Sequence, residues 1–261
     1  MEKTFAVIIA RAGSTRLPAK ALMPIAGKPM LERLVERARR SRRLSGVGIA
    51  TTTLPGDDAI AALARELGAP CHRGSEENIN ERVCGAAREF SCEVVAELLG
   101  DNPLVHAALI DDVLALRARE DADYAANLTR EYPHSPGLPR FPVGIRVQAY
   151  RVSAARRWSE FPKLFNSPLG TNSFIFTNPE VFRCAYLEAR GPWSGLLAPD
   201  MGFPVNYQRE FDLVERIFSD LLPKDPDFSL ADVMAWVRAH PAEYAAATAK
   251  DEQDAARRRP A

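Results

Sequence analysis

The chain predicts an α/β fold: a mainly parallel sheet flanked by helices, followed by a C-terminal helical tail. Two observations carry this. Short apolar runs alternate with amphipathic helical patterns four times in about 120 residues, the order that builds a parallel sheet through right-handed crossovers. The first run, FAVII at 5–9, is apolar throughout, as a strand covered on both faces must be.

Taken in order, FAVII is the first strand and leads into a polar loop. Pro29 opens a helix with Leu31, Leu34, Val35 and Ala38 on one face and arginines on the other. GVGIATT at 46–52 is the second strand. Asp57 and Asp58 stand where a helix cap belongs, Ile60, Leu63, Ala64 and Leu67 form the apolar face, and Gly68 ends the helix. APCHRGS at 69–75 reads as a short strand and turn, with Ser75 as N-cap of a helix that carries Ile79, Val83, Ala86, Ala87 and Phe90. EVVAELLGDNP at 93–103 is strand then turn, and Leu109, Ile110, Val113 and Leu116 face inward from the next helix. Four prolines and a glycine between Tyr132 and Pro142 predict an irregular loop. IRVQAY at 145–150 alternates like a half-exposed strand. SFIFTNPEVFRCAY at 173–186 reads as strand then helix, and 203–222 repeats that order. Ser229 caps a helix presenting Leu230, Val233, Trp236 and Val237, and the tail from 249 has no apolar face. The expected division is a main domain over 1–222 and a C-terminal helical extension with a disordered tail over 223–261.

Charge narrows the function. Lys+Arg and Asp+Glu both number 34, so no global field recruits nucleic acid or an anionic membrane, and any anion site is local. The arginine run RARRSRR at 37–43 reads as a solvated helix face. The four cysteines show no CxxC pairing, as in a reducing cytosol. The N-terminal apolar run is too short for a signal or a membrane span, and no longer one follows; the expected location is the cytoplasm. The histidines have no metal-ligand spacing, and no GxSxG or HExxH occurs.

In a parallel α/β sheet, ligands collect beyond the carboxyl ends of the strands. The loops at 10–28, 51–57, 73–78, 100–105 and 205–210 belong there. The first, ARAGSTRLPAK at 10–20, gathers Arg11, Ser14, Thr15, Arg16 and Lys20 around Gly13. It is neither a Walker loop nor a dinucleotide fingerprint. Its N–H groups and cations suit a polyphosphate, whereas a plain turn needs no such residues. Asp101, just after the apolar run in LLGDNPLV, can hold a divalent ion, but GDNP is equally a good turn. Arg73 and Arg82 read as ion-pair partners or ligands; Ser75 reads as a cap or a ligand. Thr51 reads as a ligand to base or ribose, or simply as a strand end.

ARAGSTRLPAK, followed by AGKP at 26–29, resembles the signature of the cytidylyltransferases that make CMP-activated acidic sugars. The pattern is similar to that of the spore coat polysaccharide biosynthesis protein F branch. It continues through ATTTLPGDDAIAALARELG, HRGSEENINERV and LLGDNPLV, returns in NPEVFR and DLVERIF, and covers about 220 residues. The resemblance implies a Rossmann-like nucleotidyltransferase fold, a homodimer, and transfer of CMP from CTP to an acceptor with Mg²⁺ as cofactor and pyrophosphate released. It implies triphosphate contacts from Arg11, Gly13, Ser14 and Lys20, nucleotide contacts from Ala10 and Ala12 as well, and Arg16 near the leaving pyrophosphate. Thr51, Arg73, Ser75 and Arg82 fall to the nucleoside, and Asp101 to the metal.

The departures lie in the second half. Where the family often has VDTPEDL, with its first Asp a metal ligand, this chain has VNYQREF, placing Asn206 there with Glu210 and Asp212 as possible substitutes. A GLDVEVF-like strand is GIRVQAY here, putting Arg146 and Gln148 in place of two acids. A REHVTPYI-like segment is PLGTNSFI. Arg140, Arg146 and Gln148 are the candidate acceptor contacts, and Arg146 favours an anionic acceptor if it faces the pocket. Three readings follow: a cytidylyltransferase for an acidic sugar, one for a phosphonate or phosphate-bearing small molecule, and a catalytically weakened nucleotide-binding homologue.

Overall fold

A computed structural model of the protein describes residues 2–132, 137–160 and 173–249. Seven strands form one sheet in the order β5-β4-β1-β6-β8-β7-β9. They are β1 Thr4–Ile9, β4 Gly46–Thr52, β5 Cys71–Gly74, β6 Val94–Leu99, β7 Tyr124–Asn127, β8 Val147–Arg151 and β9 Cys184–Leu187. A two-residue hairpin, β2 Pro24–Ile25 with β3 Lys28–Pro29, interrupts the first crossover. Pairs β1·β4, β1·β6, β4·β5 and β7·β9 are parallel; β8 alone runs against its neighbours β6 and β7. The sheet is therefore mainly parallel, as the alternation of patterns requires.

Helices α1 Met30–Ala38, α2 Asp58–Glu66 and α4 Ala107–Arg119 cover one face with α7 Gln208–Leu221, α8 Leu230–Ala239 and α9 Pro241–Thr248. Helices α3 Ile79–Glu89, α5 Val152–Glu160 and α6 Ser173–Phe176 cover the other. Strand alternation sets the division: Ala6 and Ile8 of β1 enter the first core, Val7 the second. All three are fully buried. Phe228, Leu230, Val233, Trp236 and Val237 join the same core as β1, so α8 packs on the main body.

Several elements depart from the sequence expectation. IRVQAY is not half-exposed: Val147, Gln148, Ala149 and Tyr150 are all buried, because β8 lies inside the sheet with helices on both faces. SFIF is helix α6 and CAYL is strand β9, the reverse of the expected order; the short apolar runs left helix and strand undecided. No strand forms at 203–206, only a bridge of Val143 to Gly202 ahead of α7. Asn78, not Ser75, caps α3, accepting from Glu81 N at 2.9 Å, while Ser75 Oγ accepts from Asn78 N. Ser229 caps α8 as expected.

The arginine-bearing face of α1 is also not simply solvated. Arg37 is 3% exposed; its guanidinium donates to the carbonyls of Val105, Leu104 and Phe228. Arg33 is buried as well, donating to Ile25 and Ala26 carbonyls. Each caps carbonyls at the ends of neighbouring segments, which a solvated cation does not do. Residues 168–172 of PLGTNSFI, 133–136 of the proline-rich loop and the tail from 250 lie outside the described residues.

Candidate active site

The strand order reverses at β1. The chain runs outward from β1 to β4 and β5, then returns to place β6 on the other side of β1. Loops leaving β1 and β6 therefore separate and leave a crevice at their carboxyl ends. A cleft of about 550 Å³ lies there, lined by Ile9, Ala10 and Arg11 after β1 and by Leu99, Gly100 and Asp101 after β6. Gly100 is required at this junction: a Cβ on it would lie 2.7 Å from Ile9 O.

The loop after β1 is held from behind. Leu17 is buried, Ala19 N donates to Ala12 O at 3.0 Å, and Asp57 Oδ1 accepts from Ala12 N at 2.6 Å. The Asp57 carboxylate also accepts from Thr52 N at 3.1 Å and from the Thr52 hydroxyl. The sequence assigns Asp57 to a helix cap, and it does occupy that position before α2, but its side chain makes no cap bond there. It points instead across to the first loop. Burial pushes its carboxyl upward, yet the bonds from Thr52 and Ala12 outweigh this and hold it below the ordinary 3.8. With Ala12 pinned, the N–H groups of Gly13, Thr15 and Arg16 have no backbone acceptor among the described residues. Such free donors beside cations make an anion cradle.

Lys20 crosses the cleft. Its Nζ donates to Asp101 Oδ2 at 3.1 Å and to the carbonyl of Val205. Val205 N in turn donates to Asp101 O at 2.9 Å, so the segment bearing Asn206 lies against Asp101. The Asn102 amide, oriented so that its nitrogen faces acceptors, donates to Asp101 Oδ1 at 3.1 Å. Glu210 accepts from Asn206 N at 2.6 Å and Tyr207 N at 3.1 Å, capping α7. Asp212 is exposed and takes Gln208 Nε2 at 2.7 Å. Neither carboxylate is directed by these contacts toward Asp101.

Arg82 lines the cleft and is 1% exposed. It donates to Ser75 O, and its Nε has no partner among the described residues. Burial lowers its pKa, and the like charge of Arg11 lowers it further. Arg11 faces Glu76 at 3.9 Å, a half-exposed pair of small energetic consequence. The cleft thus gathers Ala10, Arg11, Ser14, Arg16, Lys20, Arg82 and Asp101. Ala12, Gly13, Thr51, Arg73, Ser75, Arg140, Arg146, Gln148 and Asn206 are not among its lining residues. Thr51 is fully buried. Arg73 donates to Thr52 O at 2.9 Å and Leu54 O at 2.8 Å and pairs with Asp58 at 2.6 Å; it ties two loops together.

Strand register decides where the acceptor candidates sit. Glu97 pairs Gln148 and Leu98 pairs Val147; continuing one step sets Arg146 level with Leu99, which itself pairs Ile9. Arg146 itself precedes β8 and is not paired in the ladder. Its side chain is 15% exposed and lies 3.5 Å from Glu131, and its Nε has no partner among the described residues. Burial opposes its charge, but Tyr132, Glu131, Tyr124 and Glu97 around it hold its pKa above the ordinary value. Gln148 lies one row deeper. Its Oε1 accepts from Tyr124 OH at 2.6 Å and its Nε2 donates to Glu97 Oε1 at 3.2 Å, while Tyr150 OH donates to Glu97 Oε2 at 2.6 Å. Both ends of the amide are taken within the protein. Arg140 O accepts from Ala198 N at 3.3 Å.

Sequence reasoning missed Asp57 as the clasp, the Val205 carbonyl, Asn102 and Tyr207. The signal for Asp57 was the double acid after a strand, which a cap reading absorbed. The others had no local signal.

Fold and cleft together define a nucleotidyltransferase. The family model described as Cytidylyltransferase matches residues 5–136, half of the chain, and the chain belongs to that family. It is 28% identical over 235 residues to an uncharacterised protein of Methanocaldococcus jannaschii, covering 86% of this chain and 92% of that one. It is 25% identical over 240 residues to spore coat polysaccharide biosynthesis protein SpsF of Bacillus subtilis, covering 90% and 94%. To 3-deoxy-manno-octulosonate cytidylyltransferase of Geobacter sulfurreducens it is 39% identical over 119 residues, covering 45% of this chain and 46% of that one. Among solved structures, a cytidylyltransferase from Leptospira borgpetersenii superposes with TM-score 0.82 at 20% identity over 96% of this chain and 99% of that one. A CMP:2-keto-3-deoxy-manno-octonic acid synthetase complexed with CTP gives TM-score 0.60 at 20% identity over 84% and 100%. No helix among the described residues is long and apolar enough to cross a membrane.

Proposed function

We propose that the protein transfers CMP from CTP to a small anionic acceptor and releases pyrophosphate. The observation that supports this most is the Lys20–Asp101 pair, joining the pinned loop after β1 to the loop after β6 in a cleft that Arg82 also lines. An acceptor oxygen attacks the α-phosphorus in line, and the bond to the β-phosphate breaks. Little proton chemistry is needed, so placement and charge carry the rate. Ala10, Arg11, Ala12, Gly13, Ser14 and Lys20 hold the triphosphate in this reading, Arg16 meets the leaving pyrophosphate, and Arg82 reaches the nucleoside side. Thr51, Arg73 and Ser75, by contrast, support that side only as scaffold.

The donor set suits Mg²⁺. Asp101 is a hard oxygen ligand at the cleft, and no group of three or more His, Cys, Asp or Glu assembles among the described residues. Mg²⁺ is commonly held by one or two carboxylates plus substrate phosphates and water. Asp101 would hold it, with the segment that carries Asn206 alongside, and bound Mg²⁺ would offset triphosphate charge. Lys20 must then exchange Asp101 for a phosphate.

The acceptor bears carboxylate, phosphate or phosphonate in this reading, because Arg146 is a half-buried cation, paired with Glu131 at 3.5 Å, whose Nε has no partner among the described residues. Arg140 is the second candidate cation. Homodimer formation rests on the family resemblance, and a cytoplasmic setting on the unpaired cysteines and the short N-terminal apolar run. Pyrophosphate release from CTP over a panel of acidic-sugar and phosphonate acceptors, with and without Mg²⁺, tests the reading. Release with one acceptor class and Mg²⁺ is expected. Tight CTP binding with no release on any acceptor instead supports the weakened homologue, which the neutral Asn206 favours. In the active case Arg146→Ala raises KM for the true acceptor and leaves KM for CTP unchanged; an unchanged acceptor KM removes Arg146 from the site.

A further inference from the structure

Residues 205–209 touch Lys20, Asp101 and Arg16, three residues that this reading places at the triphosphate and its metal. Val205 O accepts from Lys20, and Val205 N donates to the Asp101 carbonyl at 2.9 Å. Arg16, on the first loop, lies over the Tyr207 ring with its guanidinium carbon 5.6 Å from the centroid. Arg209 lies over the same ring at 4.7 Å, and its Nε donates to Ala247 O in α9 at 3.2 Å. Tyr207 itself is fixed: it precedes α7, and its N–H is capped by Glu210. Among the described residues Arg16 has no such anchor. It is exposed, on a loop whose clasp at Ala12 lies four residues away.

We infer that Tyr207 is a positioning residue that holds Arg16 at the cleft mouth, where it meets the outer phosphates of the nucleotide. The physical reason is entropic. A long exposed arginine samples many rotamers, and an aromatic face restricts them without engaging its N–H donors. A carboxylate partner would restrict them too, but would occupy the donors that a phosphate needs. The second guanidinium, Arg209, keeps the ring's position tied to α9. This rests on the cleft being a triphosphate site.

The test is binding of CTP and of inorganic pyrophosphate to the full chain, measured by calorimetry without acceptor. Tyr207→Phe keeps the ring and is expected to bind both as the wild type does. Tyr207→Leu and Tyr207→Thr remove it and are expected to weaken pyrophosphate binding about 2- to 5-fold, the size of an exposed cation–π contact. The deciding measurement is the double variant: Arg16→Ala in the Tyr207→Leu or Tyr207→Thr background adds nothing to the loss caused by Arg16→Ala alone. A merely structural role for Tyr207 gives additive losses in both backgrounds and overturns the inference. Having two ring-free variants keeps the cycle available if one fails to fold. Wild-type protein that binds neither CTP nor pyrophosphate overturns the triphosphate reading itself, which additive losses would leave standing.

Discussion

Lys20 Nζ lies 3.1 Å from Asp101 Oδ2, a contact between residues 81 positions apart that closes the crevice between β1 and β6. Their side chains are 12% and 26% exposed, so the pair is partly shielded from solvent and is worth more than a surface ion pair. It presents a cation and an anion together at the point where the strand order reverses. A polyanion with a divalent ion satisfies both groups at once.

Replacing Asp101 with Asn keeps the shape and removes the charge. The expected outcome is a fall in kcat of about 100-fold or more under saturating Mg²⁺, with CTP binding in the absence of Mg²⁺ little changed. Steady-state rates and metal-free calorimetry check it. Retained Mg²⁺-dependent turnover would show that Asp101 only shapes the GDNP turn.

Gly13 is free of steric and conformational demands: a Cβ there meets nothing within 4 Å. Gly13→Ala is therefore expected to change unfolding stability by no more than about 0.5 kcal/mol. If phosphate packs against the backbone there, the added methyl weakens CTP affinity by about tenfold. Equal affinity for CTP would remove Gly13 from the cradle.

Arg37 tests the fold rather than the site. Its loss leaves the carbonyls of Val105, Leu104 and Phe228 buried without a donor. Arg37→Leu is expected to reduce stability by about 2–4 kcal/mol in denaturant unfolding, with m unchanged. A neutral result would mean that these carbonyls find water.

The Asp57 clasp sets an acid limit. Its folded pKa lies below the ordinary 3.8, so its contribution is fully present above the unfolded carboxylate value and is lost as pH falls through the folded one. Below that window the first loop loses its hold on Ala12. Wild type is expected to lose stability between about pH 4 and lower values by a linkage term that Asp57→Asn lacks. Parallel acid-unfolding curves for the two proteins would contradict this.

Much of the fold was legible because its signals are local. Periodicity placed β1, β4, β6 and helices α1 to α4, since an apolar face or run is written in adjacent residues. The basic loop was legible for a related reason: Arg11, Arg16 and Lys20 lie within ten residues of one another. Arg37 shows where such signals stop, because a helical arginine looks solvated until Phe228 supplies the carbonyl that buries it. SFIF and CAYL show the same limit, since so short an apolar run fits either element.

The alternation that builds a parallel sheet, the composition of the first loop and the presence of Asp101 after an apolar run are all written in the chain. Tertiary packing alone sets Asp57 against Ala12 rather than its own helix, seals Gln148 inside the sheet, and leaves Arg146 one step beyond the β6·β8 ladder, facing Glu131. It also brought Val205 and Tyr207 to Lys20 and Arg16. The reason is range. Periodicity reports what a residue does to its neighbours in the chain, whereas strand order and register determine which distant groups meet, and neither can be read from one segment alone.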